Sequence, residues 1–408
     1  MSPRQIISPS AFLRPDGRKG IRNHVLVVYL VECAHHVSRE IQVPYRERGV
    51  HLIGFGGCYP NDYSFRMLAS LCTHPNVGAT LLVSLGCEGF NRHGLAAAVV
   101  ASGRPCEVLV IQETGGTKET IRRGREWVGQ AIDRLASTPR APMTIDELVV
   151  GTVCGGSDGT SGITANPGIG RAFDRLVRDG ARCVFEETGE LIGCEQIMVP
   201  RTITPELGIA LDASVAKAAR YYATLGHGSF APGNADGGLT TQEEKSMGAY
   251  SKSGSSPISG LLKPGDVPRA PGLYLLDVVP DGEVRFGFPN INDNAEIAEL
   301  IACGSHIILF STGRGSVVGS AISPVIKVCA NPETFRHLPD DMDINAGRIL
   351  EGLDDLDAVG EEIVAAIHHV ADGRQTASES LGHQEFVLGY KTFDPTPPAC
   401  HPSFEQPR

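Results

Sequence analysis

The segment Cys154-Gly155-Gly156-Ser157-Asp158-Gly159-Thr160-Ser161-Gly162 sets a thiol, a carboxylate, three hydroxyls and four glycines within nine residues. Glycine lets a backbone approach a ligand closely and adopt positive φ. Such a loop can cradle an anion, hold a metal, or turn a strand into a helix capped by Ser161 or Thr164. It is not a standard nucleotide loop: GxGxxG is absent, and GxxxxGK[ST] fails because no lysine follows the last glycine. Comparable clusters follow other apolar runs. Cys33, His35 and His36 come after HVLVVYLV (24–31), Cys58 and Asp62 after HLIGFGG, and Cys87 with Glu88 after VSLG. Soft and hard donors recurring together suit a transition metal such as iron or zinc, although spacing alone does not choose it.

The C-terminal half adds more polar density. Asn234, Thr240, Thr241, Glu244 and Lys245 surround a double glycine, and Asp341, Asp343 and Asn345 lie in DDMDINAG (340–347). Arg314 sits in a glycine-serine turn after an apolar run and Lys327 within another, a placement that favours an anion site over solvated decoration.

These residues need elements to position them. HVLVVYLV (24–31), ATLLVSLG (79–86), EVLVIQ (107–112), ELVVGTV (147–153), ARCVFEE (181–187), LYLLDVV (273–279) and HIILFST (306–312) read as buried strands, most followed by helical patterns. That alternation predicts an α/β fold of two Rossmann-like domains with largely parallel sheets, whose ligands bind beyond the carboxyl ends of the strands. At 408 residues the chain exceeds one usual core. The expected division is 1–140, then 141–385 with a long Gly, Ser and Pro-rich loop at 251–272, then an extended tail over 386–408. A net charge of −11 and the lack of a basic stripe argue against nucleic acid or an anionic membrane as partner. No apolar run is long enough to span a membrane, and the N-terminus lacks the apolar core of a signal peptide, so a cytoplasmic location is expected. The eleven cysteines contain no CxxC pair and suggest reduced thiols.

RPDGRKGIRNHV (14–25), HPNVGATLLVSLGCE (74–88), CGGSDGTSGITANPGIGRAFD (154–174), ETGELIGCE (187–195), NADGGLTTQEEKSMGA (234–249), FSTGRGSVVGSAISPVIKV (310–328) and DMDINAG (341–347) run in order along the chain. Together they resemble the altronate and galactarate dehydratase family of sugar-acid hydro-lyases. The resemblance implies removal of water from a 2,3-dihydroxy acid to give a 2-keto-3-deoxy acid, with a divalent metal, most often iron, as cofactor. Manganese, magnesium and an iron–sulfur cluster stay open. That reaction needs cations against a developing enediolate, a base for the α-proton and an acid for the departing hydroxyl. On those needs Cys87, Glu88, Cys154, Asp158 and His35 are assigned to the metal, and Ser157, Thr160, Ser161, Arg314, Lys327 and Asn345 to the substrate. Lys245, Glu244 and His227 are assigned to proton transfer, Lys245 first because burial can draw an amine toward neutral pKa. The motif at Arg14 stands where single-chain members already carry a small N-terminal domain, so a separate small-domain subunit is an expected partner, as is a homo-oligomer. GFGGCYPND (54–62) departs from the His-containing form of altronate enzymes and keeps two rivals open: a carbon–sulfur lyase acting on sulfolactate, and a non-catalytic acid-binding subunit.

Overall fold

Short runs rich in Val, Leu and Ile that are buried on both faces form parallel strands here, as such runs do when helices cover a sheet from either side. The computed structural model describes residues 5–186, 188–225, 229–281 and 291–391. His227 and residues 392–408 of the expected tail lie outside the described residues. In chain order the strands are β1 (Ile6–Leu13), β2 (Lys19–Gly20), β3 (His24–Tyr29), β4 (Val50–Gly54), β5 (Val77–Ser84), β6 (Cys106–Val110) and β7 (Arg140–Thr144). They continue as β8 (Val149–Cys154), β9 (Arg182–Phe185), β10 (Ile258–Leu262), β11 (Gly272–Leu276), β12 (Ile307–Thr312), β13 (Val325–Cys329) and β14 (Ile344–Asn345).

Two parallel sheets result, ordered β4-β3-β5-β6 and β10-β11-β9-β8-β12-β13-β14, and a small antiparallel sheet β2-β1-β7 joins them. The fold is α/β with two Rossmann-like units. All seven expected strand runs are strands. The segment 251–272 differs from its expected role as a continuous loop, because Ile258–Leu262 pairs in parallel with β11 as an edge strand. An edge strand needs only one partner, and Ser and Pro on either side hide it in the sequence.

Helices 35–42 and 117–135 cover one face of the first sheet through Val37, Ile41, Val128 and Ala131. The other face shares a core with the second sheet, where Leu26, Val28 and Leu82 meet Val149, Val153, Ile308 and Phe310 across helices 62–72 and 293–302. Helix 165–179 and helix 356–371 cover the second sheet's far face, and β1 and β7 add Ile7, Ala11 and Met143 to that core. Among the described residues no helix is long and apolar enough to cross a membrane.

A buried polar joint fixes one unit on the other. The fully buried Asn76 donates to the carbonyls of His306 (3.3 Å) and Ile322 (3.2 Å), while its oxygen accepts from the N–H groups of Ile21 (3.0 Å) and Arg22 (3.3 Å). Arg14 donates to the carbonyl of Pro75 (2.6 Å), to Asn23 (2.6 Å) and to the carbonyl of Arg22 (2.7 Å). Replacing Asn76 by Ala would leave several buried backbone groups unpaired, so Asn76→Ala is expected to lower stability by roughly 3 kcal/mol or more. Denaturant unfolding measures this, and a loss below about 1 kcal/mol would contradict the joint's role.

Candidate functional site

The glycine loop leaves β8 and enters helix 165–179, as the sequence suggests. Gly155 is required there because a Cβ on it would stand 2.0 Å from Asp293 Oδ2, and Gly156 adopts a left-handed φ of 62°. Asp158 organises the turn. Its Oδ1 accepts from the Thr160 N–H (2.9 Å) and hydroxyl (2.6 Å) and from the Ser161 N–H (3.1 Å) and hydroxyl (3.2 Å), and its Oδ2 accepts from Asn331 (3.2 Å). The cap expected from Thr164 is not made; its hydroxyl donates to the carbonyls of Thr160 (3.1 Å) and Ala330 (2.8 Å).

A pocket of about 380 Å³ opens beside this loop, with Ser157, Asp158, Ser161, Asn166, Glu244 and Lys245 in its wall. Beneath it the Cys154 thiol donates to Glu190 Oε2 (3.3 Å) and accepts from the Ser157 hydroxyl (3.5 Å). The other oxygen of Glu190 forms an ion pair with Lys245, whose ammonium also donates to the Ser229 carbonyl (2.5 Å). Arg314 lies on the opposite flank of the loop and donates to the Gly233 carbonyl. Cβ atoms at Gly156 and Gly237 would stand 3.8 and 3.2 Å from its side chain.

The electrostatics behind the pocket come from carboxylates in a dry interior. Helix 293–302 carries Asp293, Glu296 and Glu299, and its residues from Ala295 to Ala302 are all buried. Burial and the charges of Asp293 and Glu190 push Glu296 up to about 8. Burial, with Glu190 adding repulsion, brings Asp293 to about 6. Glu186 is raised well above the usual carboxylate range by burial and by Glu296, and neither of its oxygens has a hydrogen-bond partner among the described residues. The Cys154 thiol is pushed up to about 11, by burial first and Glu190 second, against the opposing fields of Lys252 and Lys245. It is therefore a neutral donor near neutral pH.

Lys245 corrects the reasoning that selected it. Burial does press its ammonium down, but the paired Glu190 carboxylate outweighs burial and holds it above the ordinary lysine value. It is an acid rather than a poised amine. Glu244 is engaged at its helix start, where its Oε2 accepts from the Thr240 N–H and hydroxyl, both at 2.8 Å, and these bonds lower its pKa.

The remaining expected residues lie elsewhere. Lys327 is fully buried in β13 with its ammonium unpartnered among the described residues; burial lowers its pKa against Asp341, Asp343 and Glu385, none of them at the pocket. Asn345 ends β14 beside Cys329 in register. His35, Cys87 and Glu88 are at the carboxyl edge of the first sheet. There His35 contacts Glu32 (3.1 Å), and Glu88 accepts from the Ser84 hydroxyl and the Gly86 N–H (2.8 Å). The expected metal donors thus divide between two sheet edges, and the pocket provides no metal shell from them. Among the described residues no three His, Cys, Asp or Glu side chains converge on one ion.

Glu186, Glu190, Lys252, Asp293 and Glu296 were not singled out from sequence. Glu190 lies within the quoted ETGELIGCE, and two glutamates spaced three apart in the otherwise apolar AEIAELIA (295–302) were a legible sign of buried charge.

Because folding raises the Glu296 pKa from an ordinary carboxylate value to about 8, its contribution to stability is complete below about pH 4.5 and is lost as pH rises through 8. The melting temperature of Glu296→Gln relative to the native chain is therefore expected to increase from pH 5 to pH 8.5. A difference independent of pH across that window would contradict the protonated, buried carboxyl.

Comparison with known proteins now bears on this geometry. Residues 145–393 match the family model described as D-galactarate/Altronate dehydratase, C-terminal, and residues 11–136 match the second domain of D-galactarate dehydratase/Altronate hydrolase. The chain is 32% identical to the (2R)-sulfolactate sulfo-lyase subunit beta of Chromohalobacter salexigens, covering 92% of this chain and 96% of that one. It is 29% identical to the altronate dehydratase of Escherichia coli over 92% of this chain and 76% of that enzyme. It is 31% identical to the galactarate dehydratase (L-threo-forming) of the same organism over 81% and 63%. The chain belongs to the D-galactarate/altronate dehydratase family of lyases.

Proposed function

We propose that the protein is a hydro-lyase that removes water from a sugar acid of the 2,3-dihydroxy type and releases a 2-keto-3-deoxy acid. The observation that carries this reading is the ion pair between Glu190 and Lys245, a residue in the wall of a hydroxyl-lined pocket. Dehydration next to a carboxylate needs one group to take the α-proton and another to give a proton to the departing hydroxyl. Glu190 is the base in this reading and the Lys245 ammonium the acid. After one turnover the proton on Glu190 passes directly to the Lys245 amine that it contacts, so the pair returns to its starting charges. Ser157 and Ser161 offer hydroxyls to the substrate's own, and Arg314 at the loop's flank is the cation for its carboxylate. Among the described residues the pocket forms no shell for the divalent metal that the family implies, iron before manganese or magnesium, so the roles above are assigned to side chains alone.

A second reading is favoured by the near end-to-end match to a sulfo-lyase beta subunit. In it the same proton abstraction expels sulfite from sulfolactate, with a small partner subunit. Both readings are tested by following keto acid and sulfite from aldonic, aldaric and sulfonated hydroxy acids, with iron, manganese or magnesium and with or without a small-domain partner. Keto acid without sulfite supports the hydro-lyase, and sulfite release replaces it. Lys245→Met is expected to lower kcat at least about 100-fold, with KM changed only a few-fold. Retained kcat in that variant removes Lys245 from the chemistry.

A further inference from the structure

The base of the proposed reaction does not itself stand in the pocket wall. Ser157 and Lys245 line that wall, and Glu190 is not among the described residues that do. Two side chains join it to the pocket. The Ser157 hydroxyl donates to Cys154 Sγ (3.5 Å), and the thiol in turn donates to Glu190 Oε2 (3.3 Å). Both links are nearly free of solvent, Cys154 at 4% and Ser157 at 5% exposure. The backbone fixes them in this order. Cys154 is the last residue of β8, Gly156 turns the chain with its φ of 62°, and the Ser157 carbonyl then accepts from Asn234 (3.2 Å). At the far end the other oxygen of Glu190 is held by the Lys245 ammonium. Because the Ser157 hydrogen is directed at sulfur, the hydroxyl presents oxygen lone pairs to a ligand in the pocket.

We propose that Ser157 and Cys154 form a proton relay between the pocket and Glu190, Ser157 being the catalytic residue that meets the substrate and Cys154 the positioning residue that hands the proton on. The relay rests on the proposed function in taking the α-proton of a hydroxy acid as the proton that moves. Its step balances. The carbon–hydrogen bond breaks and leaves its electron pair on the acid as the enediolate, while the proton joins Ser157 Oγ. The hydroxyl's own proton joins Cys154 Sγ, and the thiol's proton joins Glu190 Oε2. Ser157 and Cys154 end neutral as they began, and only Glu190 changes charge. A base outside direct reach of its proton needs such an intermediary. Lys245, the wall residue that also contacts Glu190, already carries its full set of protons and cannot accept one. A thiol suits the middle place because it packs as a small apolar group yet both donates and accepts. Uncharged links also keep water from the Glu190–Lys245 pair, whose attraction is stronger in a dry site.

The test uses the full chain and two independent measurements. With whichever acid yields keto acid or sulfite, Ser157→Ala and Cys154→Ala should each lower kcat at least about 100-fold while KM changes only a few-fold. The double variant should be no more than a few-fold slower than the slower single one, because links of one relay fail together. Cys154→Ser keeps a donor at that place and should recover kcat to within about tenfold of the parent. The second measurement needs no turnover. The sulfur–hydrogen stretching band of Cys154 in the infrared, assigned by its loss in Cys154→Ser, should move to higher frequency in Ser157→Ala and in Glu190→Gln, each variant keeping the circular dichroism of the parent. Unchanged kcat in Cys154→Ala, fully additive losses in the double variant, or a band that neither substitution moves overturns the inference. A band that moves in both, with neither keto acid nor sulfite from any acid, leaves the relay standing and removes the hydro-lyase reading instead.

Discussion

Burying helix 293–302 on every side is the constraint on which the interior depends. The helix seals the shared core between the two sheets through Ile297, Ala298, Leu300 and Ile301, and it brings Glu296 and Glu299 in with them. Carboxylates without solvent must either bind a proton or face a cation, because each uncompensated buried charge costs several kcal/mol. Both solutions occur. Glu299 receives the Lys391 ammonium on both oxygens, at 2.7 and 2.8 Å, and the Tyr63 hydroxyl at 2.6 Å. Glu296, facing carboxylates rather than a bonded cation, is pushed to about 8. Lys245 is held charged chiefly by its ion pair with Glu190, which lies outside that helix.

The family motifs divide into two physical roles once their contacts are known. RPDGRKGIRNHV and HPNVGATLL supply Arg14, Asn23 and Asn76 to the joint that holds the first unit against the second. Their likeness to other family members reports an architecture. CGGSDGTSG, ETGELIGCE and TTQEEKSMGA meet at the pocket through Ser157, Glu190 and Lys245, so their likeness reports the site. Within the glycine loop the roles divide again. Asp158, which a sequence reading takes for a metal donor, has both oxygens committed to the turn and to Asn331.

Much of the fold was legible because strands buried on both faces announce themselves as continuous apolar runs, and β3, β5, β8, β9, β11 and β12 are of that kind, while β6, a partly exposed edge strand, was legible from its run EVLVIQ. β10 was hidden because an edge strand with partly exposed residues and Ser-Pro neighbours carries no such run. β1 and β7 were hidden because their pairing spans more than a hundred residues of sequence and is not encoded in either segment alone. At the site, the loop and Lys245 could be read from residue types. Glu190, Glu186 and Asp293 could not be grouped with them, because only the fold brings those segments within reach. Lys245 shows the limit most clearly. Its burial was foreseeable, whereas the direction of its pKa depends on which carboxylates surround it.

The segment at 390–391 ties the loop after β4 to the buried helix 293–302. The Tyr390 hydroxyl donates to the Tyr59 carbonyl, one residue past Cys58, and Asn61 donates to the Lys391 carbonyl (2.7 Å). The segment that neutralises Glu299 through Lys391 is therefore also the one that holds the Cys58 loop in place. That loop in turn is bonded to the chain beyond Cys87 and lies against Glu32, next to Cys33. Releasing the Lys391–Glu299 pair would uncover a charge inside the core and free the segment that holds the Tyr59–Asn61 loop. Both Lys391 and Glu299 are almost entirely buried, so removing either partner leaves an uncompensated charge in the core. One ion pair thus both satisfies a carboxylate in the shared core and fixes the chain segment that holds the Tyr59–Asn61 loop.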